Sequence, residues 1–194
     1  MSTMLEFSEI RNKLRNTLSE QRYEHTLGVA YTASAMAMRY GSSMEQAMLA
    51  GLLHDCAKYL SKEESIALLN ENGQKPTEIE KINPVLLHAR CGTIVARKEY
   101  GIYDEKVLHA ILVHTTGEPN MNLLDKIIYV ADYIEPNRDQ APHLDRLRNL
   151  AFVSLDKALA MILRDTVDYL QITGKPIDPR TMDAYTYYRN VEEI

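Results

Sequence analysis

The sequence predicts an all-α protein on three observations. Apolar residues recur at three- and four-residue spacing along most of the chain, and no segment alternates with period two. Ser, Asn, Gly and Pro stand where such helices should begin and end. Ser8 caps an expected first helix through about Leu18, and a second runs from about Arg22 to Tyr40. Gly41 closes it, because glycine accepts the left-handed backbone of a helix end. Ser43 opens a third, expected to continue through His54-Asp55. Ser61 and Glu64 form a capping box for a fourth that stops near Gly73. Pro84 suits a first turn, so a fifth helix is expected from there to about Tyr100, before Gly101. Further helices are expected over about Asp104 to His114, from Asn122 to about Ile134 before Pro136, over about Phe152 to Ile172, and after Pro179 through Met182, Tyr185 and Arg189.

Composition sets the class. With 194 residues, 45% apolar and 25% charged, and with no internal repeat, low-complexity tract or long linker, one domain over 1–194 is expected. Cys56 and Cys91 lack C-x-x-C spacing, which suggests neither a disulfide framework nor a thiolate zinc site and fits a reducing cytoplasm. Met1 to Phe7 shows no basic segment followed by an apolar one, and nowhere are 18 consecutive residues apolar. The expectation is a protein neither exported nor membrane-spanning. A formal net charge of −5 disfavours broad attachment to nucleic acid, yet leaves room for a small basic pocket for phosphates.

Several ionisable residues fall on faces that should point inward. His25, Gly28, Val29, Ala33, Met36 and Ala37 form one stripe. Met48, Gly51, Leu52 and Asp55 form another, with His54 at its border. Val85, His88, Ala89, Gly92, Val95 and Ala96 make a third, Val107, Ala110, Ile111 and His114 a fourth, and Leu124, Ile127, Ile128, Ala131 and Asp132 a fifth. Alone, each reads as a core histidine bonded to a carbonyl, or an Asp serving a helix end. Together they need compensation, because an unpaired charge in an apolar core costs several kcal/mol. Imidazole and carboxylate groups converging from separate helices are what a first-row divalent metal site requires.

These residues resemble the HD-domain metal-dependent phosphohydrolases, whose signature is a His, an adjacent His-Asp pair and a distant Asp on successive helices. Here those positions are His25, His54-Asp55 and Asp132. Leu52-Leu53-His54-Asp55-Cys56-Ala57-Lys58 reads like the family's core helix, and Tyr129-Val130-Ala131-Asp132-Tyr133-Ile134 like its last ligand helix. The stretch Ala131 to Arg138, His114-Thr115-Thr116-Gly117 and the tail from Lys175 to Tyr185 resemble the bacterial YqeK subgroup, so the likeness covers nearly the whole chain. Thr186 departs from it, standing where that subgroup has Asn. The resemblance implies an HD-domain helical bundle that hydrolyses diadenosine tetraphosphate at its centre to two ADP. Iron is the implied metal, with Mn, Zn or another first-row ion as alternatives. The implied partner is a dinucleoside polyphosphate or nucleoside diphosphate, without nucleic acid or membrane, and a homodimer is allowed.

On that reading His25, His54, Asp55 and Asp132 hold a metal that polarises a phosphoryl group and acidifies water. Asp55, Lys58, His88 and His114 form the catalytic set. His88 and His114 either contact phosphates, the preferred role, or bind a second ion. Lys58 and Arg138 neutralise charge on the phosphoryl group. Gly174-Lys175 lacks P-loop spacing and reads as a turn offering Lys175 to a phosphate. Tyr185 is the candidate for stacking on a nucleobase. His109, off its helix stripe, and His143, in an expected turn, are left out. Two competing enzyme readings share this chemistry, a nucleoside monophosphate phosphatase and a cyclic-nucleotide phosphodiesterase. A third reading, a nucleotide-sensing module without catalysis, has no need for such costly inward groups.

Overall fold

The computed structural model describes residues 6–190, so residues 1–5, with most of the amino-terminal stretch, and 191–194, the end of the expected single domain, lie outside the described residues. All regular structure among the described residues is helical, as the periodicity predicts. In order come α1 (Phe7–Thr17), α2 (Glu20–Tyr40), α3 (Met44–Leu53), α4 (Lys62–Glu71), α5 (Glu78–Ile82), α6 (Leu87–Tyr100), α7 (Glu105–Val113), α8 (Leu123–Ile134), α9 (Leu144–Leu150), α10 (Leu155–Ile172) and α11 (Pro179–Tyr188). None is long and apolar enough to cross a membrane.

Helix α8 is the hub, packing on α2, α3, α7, α9 and α10. Its buried Ile127, Ile128 and Ala131 meet a core that includes Val29, Ala30 and Ala33 of α2 and Ala50 and Leu52 of α3. The α2–α3 pair is close because Gly51 has no side chain: a Cβ there would lie 2.6 Å from the Ala30 Cα. That approach puts the end of α3 beside the first turns of α2.

The structure corrects several expected boundaries. Helix α3 does not continue through His54-Asp55; it stops at Leu53, and the chain turns through three-residue hydrogen bonds, Cys56 N to Leu53 O (3.1 Å), Lys58 N to Asp55 O (2.9 Å) and Leu60 N to Ala57 O (3.2 Å). The reason is local: the His54 ring donates from Nδ1 to the Gly51 carbonyl at 2.7 Å, an acceptor that a continuing helix would use. Helix α1 is capped by a Glu6–Glu9 box rather than by Ser8. Pro84 opens a 3₁₀ turn, Pro84–Leu86, ahead of α6, and α10 begins after Ser154 rather than at Phe152. Two short helices were not expected. Thr77 and Glu80 box the start of α5, and α9 follows His143, whose φ of 58° is held by a 2.9 Å contact from Nδ1 to Asp165.

Candidate metal centre

The five inward stripes meet at one place. His25 comes from the first turns of α2, His54, Asp55 and Lys58 from the turn after α3, His88 from the start of α6, His114 from the end of α7, and Asp132 from α8. His54 is fully buried, and Asp55, His88, His114 and His25 are all buried. The rings stack edge to face in a row, His25 on His54 at 5.3 Å between centroids, His54 on His114 at 5.1 Å, and His114 on His88 at 5.0 Å.

Each imidazole is oriented through Nδ1. His54 donates to Gly51 O and His114 to Ile111 O, both at 2.7 Å, and His88 donates to Val85 O. A carbonyl oxygen can only accept, so Nδ1 carries the proton and a neutral ring leaves its lone pair on Nε2. His25 Nδ1 lies 3.0 Å from the Glu135 carboxylate, the same arrangement with an acid in place of the carbonyl. The four Nε2 atoms therefore face the centre. His25 and His54 approach Nε2 to Nε2 at 3.3 Å, and His88 and His114 at 3.0 Å. Lone pairs that close repel unless a cation or shared proton lies between them.

Carboxylates complete the set. Asp132 Oδ1 reaches His25 Nε2 at 3.0 Å and His54 Nε2 at 3.9 Å, while Asp55 places Oδ2 3.5 Å from His54 Nε2 and Oδ1 3.2 Å from His88 Nε2. Within the cluster two groups have ligand atoms close enough to share an ion, His25, His54 and Asp55, and Asp55, His88 and His114; a third such group among the described residues, His109, Glu118 and Asp125, lies apart from it. Asp55 belongs to both. Nitrogen and carboxylate oxygen are a donor set that suits first-row divalent ions, so the residues fit such a metal.

The electrostatics are those of a site that stabilises carboxylate charge. Burial works against ionised Asp55 and Asp132, yet the imidazoles around them, and Arg138 beside Asp132, hold both well below the usual carboxylate range. Burial opposes charge on His54, but Asp55 and Asp132 outweigh it and raise that ring. His88 goes the other way: burial, with Lys58 next to it, pushes it down to about 3. Lys58 is lowered by burial, with Arg22 adding to the effect and Asp55 opposing it.

Lys58 stands 3.6 Å from Asp55 and 3.3 Å from His88, and Arg138 bonds the Asp132 carboxylate at 3.1 Å. Lys175 and Tyr185 are not brought to this cluster. Lys175 bonds the Tyr169 hydroxyl at 3.0 Å on the α10–α11 connection, and Tyr185 is half-buried against the core on α11. His109 lies apart between Asp125 (3.0 Å) and Glu118 (3.1 Å).

Sequence reasoning missed four contributors. Arg22 bonds Asp55 Oδ2 at 2.8 Å, and the Thr115 hydroxyl sits 3.1 Å from Nε2 of both His88 and His114. Buried Glu135 fixes His25 and is itself held by the Asn137 backbone N–H at 2.8 Å. Gly28 makes room for it, since a Cβ there would lie 2.2 Å from Glu135 Oε2. Arg22 and Glu135 each stand three residues from a signature residue, His25 and Asp132, and that spacing is the signal that could have found them.

Open space adjoins the cluster on two flanks. A cleft of about 460 Å³ is lined by Arg22, His25, Tyr133, Glu135, Arg138 and Tyr169, among others. A smaller one of about 230 Å³ opens beside Lys58 and His88.

A helical fold whose centre is built from a His, a His-Asp pair and a distant Asp defines a class of hydrolase. Residues 22–137 match the HD domain model, and the chain belongs to the HD domain family. Among curated proteins it is 45% identical, over 87% of its own length and 89% of the relative's, to a protein of Halalkalibacterium halodurans named bis(5′-nucleosyl)-tetraphosphatase, symmetrical. It is 40% identical, over 90% and 92% of the two lengths, to one of Bacillus subtilis that carries the same name. Among solved structures, a Clostridium acetobutylicum protein described as a predicted HD superfamily hydrolase involved in NAD metabolism matches with a TM-score of 0.92 and 43% identity, covering 96% of this chain and 98% of that one.

Proposed function

We propose that this chain is a metal-dependent phosphohydrolase that cuts diadenosine tetraphosphate with water at its centre, giving two ADP, and acts on related dinucleoside polyphosphates. The observation that carries this is the convergence of four imidazole Nε2 atoms and two carboxylates, in a chain 45% identical to a symmetrical tetraphosphatase over most of its length. His25, His54, Asp55 and Asp132 are the proposed metal ligands. A bound divalent ion would supply Lewis-acid polarisation of a phosphoryl oxygen and acidify water. Iron is our proposed ion, on the family likeness, with Mn or Zn suiting the same donors.

In this reading Glu135 and the three backbone carbonyls keep the rings aimed inward. Lys58, His88, His114 and Arg138 contact the phosphates, and Lys58 and Arg138 offset charge as the central P–O bond breaks. Lys175 serves the substrate through its bond to Tyr169, and Tyr185 through the packing of α11 on α10, the helix that carries Tyr169. We place the protein in the cytoplasm, in keeping with its two free, buried cysteines, and propose that 1–194 acts as one HD domain, assembled as a homodimer. Chromatography of products tests the function. ADP alone from diadenosine tetraphosphate is expected; ATP plus AMP would refute symmetrical cleavage.

A further inference from the structure

The two clefts flanking the cluster differ in ways that bear on how a symmetrical substrate is held. The larger, about 460 Å³, lies between the start of α2, the 135–142 connection and α10. Tyr133 and Tyr169 give it aromatic surface, and Asn137, Gln140 and Thr166 give it hydrogen-bonding groups. Two guanidiniums stand where it meets the cluster: Arg22, bonded to Asp55 at 2.8 Å, and Arg138, bonded to Asp132 at 3.1 Å. Tyr169 is half-exposed, with its hydroxyl held by Lys175 at 3.0 Å and the ammonium 4.9 Å from the ring centroid. Lys175 steadies the ring without lining the cleft itself. This volume lies within the usual range for a small-molecule pocket, roughly 300–1,000 Å³.

The opposite flank is half that size, about 230 Å³, and the one aromatic ring in its lining, His88, is buried with its edge stacked on His114. It offers the cations Lys58 and Lys62 with Pro84 and Val85. Such a surface suits phosphate oxygens and offers a flat base no open aromatic face.

Resting on the tetraphosphatase reading, we propose that the enzyme seats its symmetrical substrate asymmetrically. One nucleoside occupies the Tyr133–Tyr169 cleft with its base against Tyr169. Arg22 and Arg138 take the phosphates leading to the cluster, and the second nucleoside lies beyond Lys58 without a built pocket. Recognition is then of one nucleoside and a phosphate chain. Adenosine 5′-tetraphosphate, which has a single nucleoside, becomes a substrate: water cleaves the bond between its second and third phosphates, giving ADP and pyrophosphate.

The test compares diadenosine tetraphosphate with adenosine 5′-tetraphosphate for the parent, Tyr169→Ala and Tyr169→Phe, and measures ADP binding by calorimetry, which needs no turnover. The parent should release ADP from both substrates. Loss of the ring should raise KM for both, and weaken ADP binding, by about tenfold, the scale of one base–aromatic stack, with a smaller effect on kcat. Tyr169→Phe, which keeps the ring, should restore parent values. Failure of the parent to cleave adenosine 5′-tetraphosphate overturns the proposal, as does unchanged KM and ADP affinity in Tyr169→Ala, or a Phe variant as weak as the Ala variant. Should the parent make no ADP from diadenosine tetraphosphate, the functional reading falls, while ADP binding still decides whether the cleft holds a nucleoside.

Discussion

Gly28→Ala places a methyl group where the structure has room for none, and the atoms it would meet first belong to Glu135 and Asn137, not to a proposed ligand. The added Cβ would lie 2.2 Å from Glu135 Oε2 and 3.1 Å from its Cδ, so the carboxylate must move by about 1 Å to reach ordinary contact. Glu135 has little freedom to do so. It is only 1% exposed, and its two oxygens are engaged by His25 Nδ1 at 3.0 Å and the Asn137 N–H at 2.8 Å. Hydrogen bonds to charged groups contribute about 1.5–3 kcal/mol each, and removing the outer partner of a ligating histidine lowers metal affinity about 10- to 100-fold. The exchange also favours the helix, because Ala is about 1 kcal/mol better than Gly inside one. The expected result is therefore a selective loss: metal affinity falls about 10- to 100-fold while the melting temperature changes little. Calorimetric metal titration with a parallel thermal melt reads both. The same substitution in a Glu135→Ala background should add nothing, since the group it displaces is gone. Unchanged metal affinity in Gly28→Ala would refute the role given to Glu135.

Other consequences are equally direct. Gly51→Ala drives a Cβ to 2.6 Å from Ala30 Cα and 3.0 Å from Ala30 N, both backbone atoms that cannot rotate away, so a loss of about 1–3 kcal/mol should appear in denaturant unfolding. Asp178 caps α11 through Arg180 N at 2.9 Å and pairs with the Arg180 guanidinium; Asp178→Ala should cost about 1 kcal/mol at neutral pH. Although burial opposes its charge, Arg180 holds the Asp178 carboxyl below its ordinary 3.8. Its stabilising effect is thus complete above that value and lost as pH falls through the lower folded value, and the melts of parent and variant should converge there. Lys58→Gln should keep metal content and lower kcat by about 100-fold, read by steady-state kinetics on diadenosine tetraphosphate.

Much of the fold could be read from the chain because its helices carry their own punctuation. Helix α8 begins after Asn122 and ends at Ile134, as its cap and Pro136 predict, and its stripe brings Asp132 to the cluster. His88 and His114 were found the same way. What periodicity could not show is where a side chain replaces the next helical hydrogen bond, which is why α3 stops one residue before His54. Nor could it show Glu135, which lies just past α8 and reads as part of a helix stop until tertiary packing puts it against His25. Helix α9 follows a histidine in left-handed backbone, a conformation set by its contact with Asp165 on distant α10. Tyr169 was passed over for a related reason: an exposed tyrosine on a long helix carries no signal until the neighbouring cleft is visible.

Metal analysis of the purified parent and of His25→Ala, His54→Ala, Asp55→Ala and Asp132→Ala, with ADP release from diadenosine tetraphosphate measured on the same samples, tests the central claim most directly. The parent should carry a divalent metal and yield ADP alone, and each variant should lose both metal and turnover while keeping its helical circular dichroism. Parental metal content and activity in all four folded variants would contradict the account.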